Sequence, residues 1–524
     1  MSETNFLYGA AVQGIQGFIF QTNKLREIVG ASALVEEICT KKFEELVGSS
    51  YEEYDSYKKR GSILHAAGNI KYVFDNQQEC ERIVRQFPMI ISELAPGITV
   101  SQAVVVMDES IEFAEAVEVL ENKLRIQRNR PMRSVTMGMM GIARSRQTGL
   151  PVSFFKSENR FGKVEQLYLD QGTRNKLYED PSGNRLKTTK TLCEKAFGQP
   201  FRDDDDRIAY NIEDITRKND WIAIIHADGN GLGQVVQKVG KDPERFKTFS
   251  AWLDEATRKS AIAAYHAVEG QFENPNDRAG FVPIRPIVLS GDDLTVVCRA
   301  DLALDYTTTF LAEFEKNTKN ETLLQEVFEN ETDKRLTACA GIAYIKSSFP
   351  FYYGYNLAEE LCSHAKKDAK EKQEVKEGKE LPMSCLMFHK VQDSFTENYA
   401  DIVERELTPN DGISFQCGPY YMKEKTERMT IKDLKDYVAR LADKEGNAVK
   451  SHLRQWMSLL HDNPRMAQRK LRRLKSMTTD DVLRKLIERV TFDYPNSKKE
   501  YRSPVYDILA IHTIINQETK EDTK

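Results

Sequence analysis

The chemistry-bearing side chains of this sequence concentrate at a few strand ends. Ile287-Val-Leu-Ser-Gly-Asp-Asp-Leu-Thr-Val-Val-Cys298 sets two apolar β-forming runs around Ser290, Gly291, Asp292 and Asp293. That is the pattern of a hairpin whose tight turn carries two adjacent acids. Like charges between buried strands repel and are costly to bury unless a cation joins them. Trp221-Ile-Ala-Ile-Ile-His-Ala-Asp228 is a second buried-strand pattern ending in an acid, followed at once by Gly229, Asn230, Gly231, Leu232 and Gly233. A hard divalent cation suits such a set, because Mg²⁺ takes oxygen ligands and keeps waters and phosphates beside one or two carboxylates. Two ions about 3.5–4 Å apart can stabilise the attacking and leaving oxygens of a nucleotidyl transfer. The expected cofactor is Mg²⁺ or Mn²⁺ in a two-metal site, with Asp228, Gly229, Asp292 and Asp293 as its ligands.

The backbone of Gly229–Gly233, passing from strand to helix, is expected to point N–H groups at a triphosphate. Glycines permit that close approach. Ser290 and Gly291 are expected beside the same nucleotide. Lys366 and Lys370 lie four apart on a helix and share a face, suited to β- and γ-phosphates. Each piece alone has an ordinary reading as a turn, a hairpin tip or a solvated lysine face. Their joint occurrence is far more specific. His226 shares the strand face of Asp228 by alternation and reads as a packed histidine rather than a ligand. His461-Asp462 is isolated in a helical region, so an HD-type hydrolase is not supported.

The elements that must position these residues recur in order. Phe6–Phe20 reads as a strand, a glycine-rich turn and a helix start. Leu25–Val47 has helical spacing that Gly30 interrupts. Ser62–Phe74 reads as a hairpin with Gly68-Asn69 at its turn, followed by a helix over Gln78–Leu94, a strand over Ile98–Met107 and a helix over Ile111–Ile126. That is β-α-ββ-α-β, the ferredoxin-like or palm arrangement. The order returns with strand Trp221–His226, helix Glu244–Val268, hairpin Ile284–Cys298, helix Leu302–Glu315, strand Leu336–Ile345 and helix Leu357–Lys372, an internal duplication. Gln13 falls at the position of Asp228, and Gly68-Asn69-Ile70 at that of Gly291-Asp292-Asp293, so the first copy has lost its acids. The expected fold class is α+β: two ferredoxin-like palm domains, the first degenerate, plus a C-terminal α-helical domain. The expected boundaries are a degenerate palm over 1–144, an irregular region over 145–220, a catalytic palm over 221–395 and a helical domain over 396–524. The run Asp203–Asp206 reads as a solvated loop, because four consecutive acids cannot all face one ion.

Composition narrows the class. The 524 residues carry 75 Lys and Arg against 80 Asp and Glu, so no global basic field announces nucleic acid. No run reaches the roughly 18 apolar residues of a membrane span, and Met1-Ser-Glu-Thr-Asn lacks the pattern of a signal peptide. The eight cysteines are scattered and never form Cys-x-x-Cys. They read as reduced thiols of a cytoplasmic protein rather than a zinc knuckle. Lys123, Arg125, Arg128, Arg130, Arg133, Arg144 and Arg146 span 123–146 with no acid among them. Arg469, Lys470, Arg472, Arg473 and Lys475 form a second basic group. The first is a candidate surface for RNA or protein subunits of a complex, though without interleaved aromatics for sequence-specific RNA reading.

Ala227-Asp-Gly-Asn-Gly-Leu-Gly233 with Ser290-Gly-Asp-Asp293 resembles the active palm of the large polymerase-like subunit of type III CRISPR effector complexes, itself similar to diguanylate (GGDEF) cyclases. Gln13-Gly-Ile-Gln-Gly-Phe-Ile-Phe20 and Leu25-Arg-Glu-Ile-Val-Gly-Ala-Ser32 resemble the turn and helix of that subunit's inactive first palm. The resemblance covers roughly residues 5 to 395. It implies a cyclase that joins nucleoside triphosphates, with ATP the expected substrate, into cyclic oligonucleotide messengers of antiviral defence. By that likeness Asp228 and Asp292 hold metal, Asp293 completes the acidic pair, and Lys366 and Lys370 contact phosphate. The sequence departs from the family in lacking an N-terminal HD nuclease domain, in lacking zinc-knuckle cysteines between the palms, and in reading Ser-Gly-Asp-Asp for Gly-Gly-Asp-Asp. A stand-alone signalling cyclase therefore stands beside a subunit of an RNA-guided complex. The alternative to both is a non-catalytic scaffold that binds nucleotide or RNA. A diguanylate-type cyclase is disfavoured by the two palms and the absence of a usual input domain.

Overall fold

A computed structural model describes residues 4–48, 61–66, 68–108, 111–130, 141–160, 163–177, 188–200, 207–216, 221–239, 242–272, 280–320, 322–324, 333–371, 373–377, 379–393, 398–409, 413–424, 428–490 and 501–516. The run 203–206, Arg133 and the stretch 181–184 lie outside the described residues. Strands β1 (Asn5–Gln13), β2 (Ser62–Ala66), β3 (Asn69–Phe74) and β4 (Thr99–Met107) form an antiparallel sheet in the order β2-β3-β1-β4. Helix Leu25–Glu37 runs unbroken through Gly30, where the sequence suggests an interruption. A Cβ there would lie 1.6 Å from the Lys176 carbonyl oxygen, so the glycine serves close packing on helix Gln171–Lys176. A wider π turn over Ile38–Lys42 then leads into helix Phe43–Val47. Between the two sheets, the described residues include regular elements where the sequence suggests an irregular region. It contains the hairpin β5 (Phe154–Arg160) and β6 (Lys163–Leu169), and helix Thr188–Phe197.

The second sheet is built from β7 (Trp221–Gly229), β8 (Ile284–Ser290), β9 (Asp293–Arg299), β10 (Ala338–Lys346) and β11 (Cys385–Lys390). Its order is β11-β10-β7-β9-β8, with the short strand Tyr420–Tyr421 beyond β11. The run β8-β9-β7-β10 repeats the chain order of the first sheet: second, third, first, fourth. β11 is parallel to β10 and extends this arrangement by a strand the sequence pattern does not announce. β7 is buried along nearly its whole length because helices cover both faces of the sheet, as its unbroken apolar run requires. Helix Pro243–Glu269 starts where Asp242 accepts the Glu244 and Arg245 backbone N–H groups at 2.9 and 3.1 Å, with Pro243 at its first position. Helix Phe351–Ala369 packs over β10 and β7.

The ladder registers shift the correspondence between the two copies. Ala66 pairs with Asn69 across residues 67–68, as Ser290 pairs with Asp293 across Gly291-Asp292. Asn69, not Ile70, therefore stands at the Asp293 position, and Gly68 at that of Asp292. β3 pairs Asn69 with Ala11, while one further step of the β7–β9 register sets Asp293 opposite Asp228. Measured from this hairpin, the Asp228 position falls on Ala11 rather than Gln13. The bulges in β2 and β8 fall at matching places before Ala66 and Ser290, so the shift comes instead from aligning Gly68 with Gly291 by residue type.

The two halves meet directly. The Ser32 hydroxyl donates to the Ile287 carbonyl. The Gln16 amide donates to the Tyr355 hydroxyl at 3.2 Å and to Glu359 at 2.9 Å. The Phe20 ring stacks on Tyr355 with centroids 3.8 Å apart, and the Asn23 side chain accepts the Phe351 N–H at 2.9 Å. Beyond the second sheet, helices Ile431–Ala442, Lys444–Asp462, Pro464–Met477, Asp481–Val490 and Val505–Ile515 form a helical assembly. Among the described residues, no helix is long and apolar enough to cross a membrane.

Gly341 tests the packing that holds helix Phe351–Ala369 in place. A Cβ on it would lie 1.9 Å from the Ala358 carbonyl oxygen and 2.6 Å from the Cys362 nitrogen, both backbone atoms. Gly341→Ala is expected to lower unfolding stability by about 1–3 kcal/mol, the usual cost of overpacking, measured by denaturant titration.

Candidate active site

Three elements converge on one point. Asp228 lies near the end of β7, Asp292 in the β8–β9 turn and Asp293 at the start of β9. Each offers a carboxylate oxygen within 4.8 Å of the others. Among the described residues this is the one group of three or more His, Cys, Asp or Glu side chains close enough to share an ion. All three are half-buried. An all-oxygen donor set of this kind fits a hard cation such as Mg²⁺ or Mn²⁺.

Local backbone makes the approach possible. Gly291 adopts φ 62°, the left-handed region that glycine occupies without strain. Ser290 is instead the last residue of β8 and pairs with Asp293, so a serine fits where the sequence comparison expects glycine. A Cβ on Gly229 would lie 2.9 Å from Asp292 Oδ2 and 3.0 Å from Asp292 Cβ. Only a bare backbone lets the hairpin tip come this close to β7. Helix Pro243–Glu269 holds that tip from outside: Asp254 accepts the Gly291 N–H at 3.3 Å, and the Thr257 hydroxyl donates to the Gly291 carbonyl at 2.6 Å. Nothing near Asp254 or Thr257 in the sequence announces this role, since both lie on an ordinary amphipathic helix.

Lys366 forms an ion pair with Asp228. The β7–β10 register places Asp228, His226 and Gly341 on one sheet face, the face covered by helix Phe351–Ala369. Burial pulls the Asp228 carboxyl up, but the Lys366 ammonium outweighs it and leaves the group below its ordinary value. Asp292 is pushed well up by burial and by the charges of Asp293 and Asp228. Asp293 is pushed up to about 7, first by burial and then by Asp228. One cation shared among three acids leaves the hairpin pair short of positive charge.

The other expected site residues divide. β7 gives way to helix Leu232–Val239 across Asn230 and Gly231, as the strand-to-helix reading requires, and Gly231 has φ 72°. Asn230 is fully buried, with its side-chain amide donating to the Thr337 hydroxyl at 3.1 Å and its backbone N–H to the Thr337 carbonyl at 2.8 Å. Its backbone N–H is therefore committed to the fold and withdrawn from any phosphate cradle, which leaves Gly231, Leu232 and Gly233 to serve there. Lys370 caps the C-terminal end of helix Phe351–Ala369, one turn beyond Lys366, and has no contact with the acids among the described residues. His226 Nδ1 lies 3.1 Å from the Thr295 hydroxyl and its ring meets Tyr355 edge-on. Burial holds it below its ordinary pKa, so it is a packed, neutral histidine.

A cavity of about 650 Å³ opens beside Asp293, within the range of small-molecule sites. Its walls come from both halves of the chain: Gln16, Phe20 and Cys39 on one side, Asp254, Arg258 and Tyr355 on the other. The π turn over Ile38–Lys42 lines it through Cys39 and Thr40.

Residues 221–376 match the family described as Cas10/Cmr2, second palm domain. No curated protein matches the sequence. Among solved structures, the Csm1–Csm4 cassette in complex with cA3 aligns with a TM-score of 0.56 at 13% identity, covering 98% of this chain and 69% of the matched chain. The same cassette in complex with AMPPNP gives 0.55 at 13% identity, with 98% and 69% covered. The Csm1–Csm4 subcomplex of a type III-A CRISPR-Csm interference complex gives 0.51 at 14% identity, with the same coverages. At these identities the likeness is one of fold.

The raised acids make stability pH-dependent in the metal-free protein. Asp293 binds its proton more tightly folded, at about 7, than unfolded. Its contribution is therefore fully present below the ordinary carboxylate value and lost as pH rises through about 7. Asp293→Asn is expected to leave the melting temperature unchanged near pH 4 and to raise it at pH 8, by roughly 1–3 kcal/mol of stability. Added Mn²⁺ should raise the melting point of the wild type at pH 8 and not that of the variant. Gly229→Ala, which displaces Asp292, should weaken Mn²⁺ binding by about tenfold or more, the scale seen when a supporting contact of a metal site is lost.

Proposed function

We propose that this chain is a metal-dependent nucleotidyl cyclase that joins nucleoside triphosphates, with ATP as the substrate, into cyclic oligonucleotides. The observation that carries the reading is the cluster of Asp228, Asp292 and Asp293 within 4.8 Å at the edge of a cavity large enough for a nucleotide. The matched crystal structures are of cassettes in complex with cA3 and AMPPNP, and the shared fold supports reading the same chemistry here. The acids, with the backbone at Gly229, would hold Mg²⁺ or Mn²⁺, which supplies charge to the α-phosphate and lowers the cost of ionising the attacking hydroxyl.

The chain's own residues perform the remaining tasks. Lys366 neutralises Asp228 in the free protein and would meet the triphosphate oxygens of bound substrate. Lys370, one turn on, extends the positive charge toward the leaving group. Backbone N–H groups of Gly231–Gly233 at the helix start receive phosphate oxygens. The 3′-hydroxyl of one nucleotide, seated in the cavity between the two halves, attacks the α-phosphorus of the next. The new O–P bond forms as the bond to pyrophosphate breaks, and the hydroxyl proton leaves with it. Gln16, Phe20 and the π turn supply the wall against which the acceptor nucleotide is held, a positioning role for a first palm that lacks acids at the positions of Asp228, Asp292 and Asp293. In this reading residues 1–144 form that palm, 145–220 connect the two, 221–395 form the active palm and 396–524 the helical domain. The exposed basic residues of 123–146 contact RNA or protein subunits of a defence complex in the cytoplasm.

The test is incubation of the protein with each NTP and Mg²⁺ or Mn²⁺, with released pyrophosphate and product mass both measured. The expected product from ATP is a cyclic oligoadenylate. Asp292→Ala with Asp293→Ala should lower turnover by about 10³-fold or more while the melting curve stays cooperative, in line with the loss of metal-based charge stabilisation. Lys366→Ala should raise KM more than it lowers kcat. Nucleotide binding without pyrophosphate release under any activator would leave a non-catalytic scaffold.

A further inference from the structure

A second cavity, of about 450 Å³, lies where the helical assembly meets the second sheet. Lys390, the last residue of β11, lines it and is only 8% exposed. Arg454 and His461 of helix Lys444–Asp462 line it too, with Gln392, Met457 and Tyr506. The Lys390 ammonium sits over the Trp221 ring, 4.6 Å from its centroid, and the Lys346 ammonium approaches the same ring at 5.9 Å. Among the described residues, no carboxylate pairs with Lys390, and the one hydrogen bond of Arg454 goes to the Thr513 hydroxyl at 3.2 Å. Burial, then Arg454 and Lys346, push the Lys390 ammonium down to about 8. No acid stands among the residues lining the cavity.

A buried ammonium without a counter-charge is expensive, and a ring face returns only part of the lost solvation. Buried charges are otherwise paired. Here the unpaired cation faces an open cavity with an arginine beside it, and an arginine fork matches the oxygens of a phosphate. Met457, Leu509 and Tyr506 give the same cavity an apolar wall. The location is distinct from the acidic cluster. Trp221 begins β7 and Asp228 lies seven residues on, which places the two sites roughly 23 Å apart along one strand.

We propose that this cavity is an anion site for a phosphate-bearing ligand of nucleotide size, with Lys390 and Arg454 holding the phosphate. The nucleoside part would lie against Met457, Leu509 and Tyr506. The site stands on its own residues and does not depend on catalysis at Asp292.

The test is a thermal and calorimetric titration of the full chain in EDTA with inorganic phosphate and with 5′-AMP, against chloride of matched ionic strength. Wild type should gain several degrees of melting temperature with each probe. Lys390→Met, which removes the unpaired charge, should melt higher than wild type without any probe and bind either probe at least about tenfold more weakly, the scale of a lost charge-assisted contact. Arg454→Gln, a change at the surface of a helix, should fold normally and weaken binding likewise. AMP binding tighter than phosphate assigns a nucleotide, and equal binding assigns free phosphate. The proposal is overturned if wild type responds to neither probe at millimolar concentration, or if both variants respond as wild type does.

Discussion

Mutual repulsion among three carboxylates is the constraint around which the second half of this chain is built. Left alone, the acids would drive the hairpin tip away from β7. They are held by what surrounds them: Lys366 on Asp228, the backbone of Gly291 clamped by Asp254 and Thr257, and a glycine at 229 that leaves room for nothing larger. Stability is given up there for a concentrated negative field. A divalent cation would relieve it; without one, burial and mutual repulsion raise the proton affinities of Asp292 and Asp293.

The same logic, with the sign reversed, marks the other end of β7. Lys346 and Lys390 crowd one tryptophan ring while no acid answers them among the described residues. A single strand therefore runs between a place short of positive charge and a place short of negative charge. Strand β7 is buried on both faces and hydrogen-bonded on both edges. It is a rigid spacer, with the acidic cluster near one end and the lysine pair over Trp221 at the other.

Much of this was legible in the residues, and the boundary of legibility has physical causes. A strand ending in Asp228 and a hairpin around Asp292 and Asp293 are local signals, carried by alternation and turn residues within a dozen positions. Lys366 and Lys370 share a helix face in the sequence, and the fold brings Lys366 onto Asp228. Asp254 and Thr257 stayed hidden because their partner is the backbone of Gly291, some 35 positions away, and backbone leaves no trace in a side-chain pattern. Gly30 and Asn230 mislead for a related reason: a glycine and an asparagine read as loop formers, yet here one admits a neighbouring carbonyl and the other fastens to Thr337. β11 escaped notice because six apolar-to-basic residues after a polar linker fit strand and helix equally. The pairing of the two halves slips by a residue or two because Gly68 matches Gly291 by type, while the ladder sets it at the Asp292 position.

The wall supplied by Gln16, Phe20 and the π turn has an evolutionary corollary. A chamber roofed by one half and floored by the other exists only while both are present. Cutting the gene between them would expose the floor to bulk water and dissolve the aromatic stack of Phe20 on Tyr355. Gene duplication ordinarily frees one copy to drift away or vanish. In this chain the half with no acid at the Asp228, Asp292 and Asp293 positions supplies walls to the cavity beside its counterpart's acids, a structural reason to keep it.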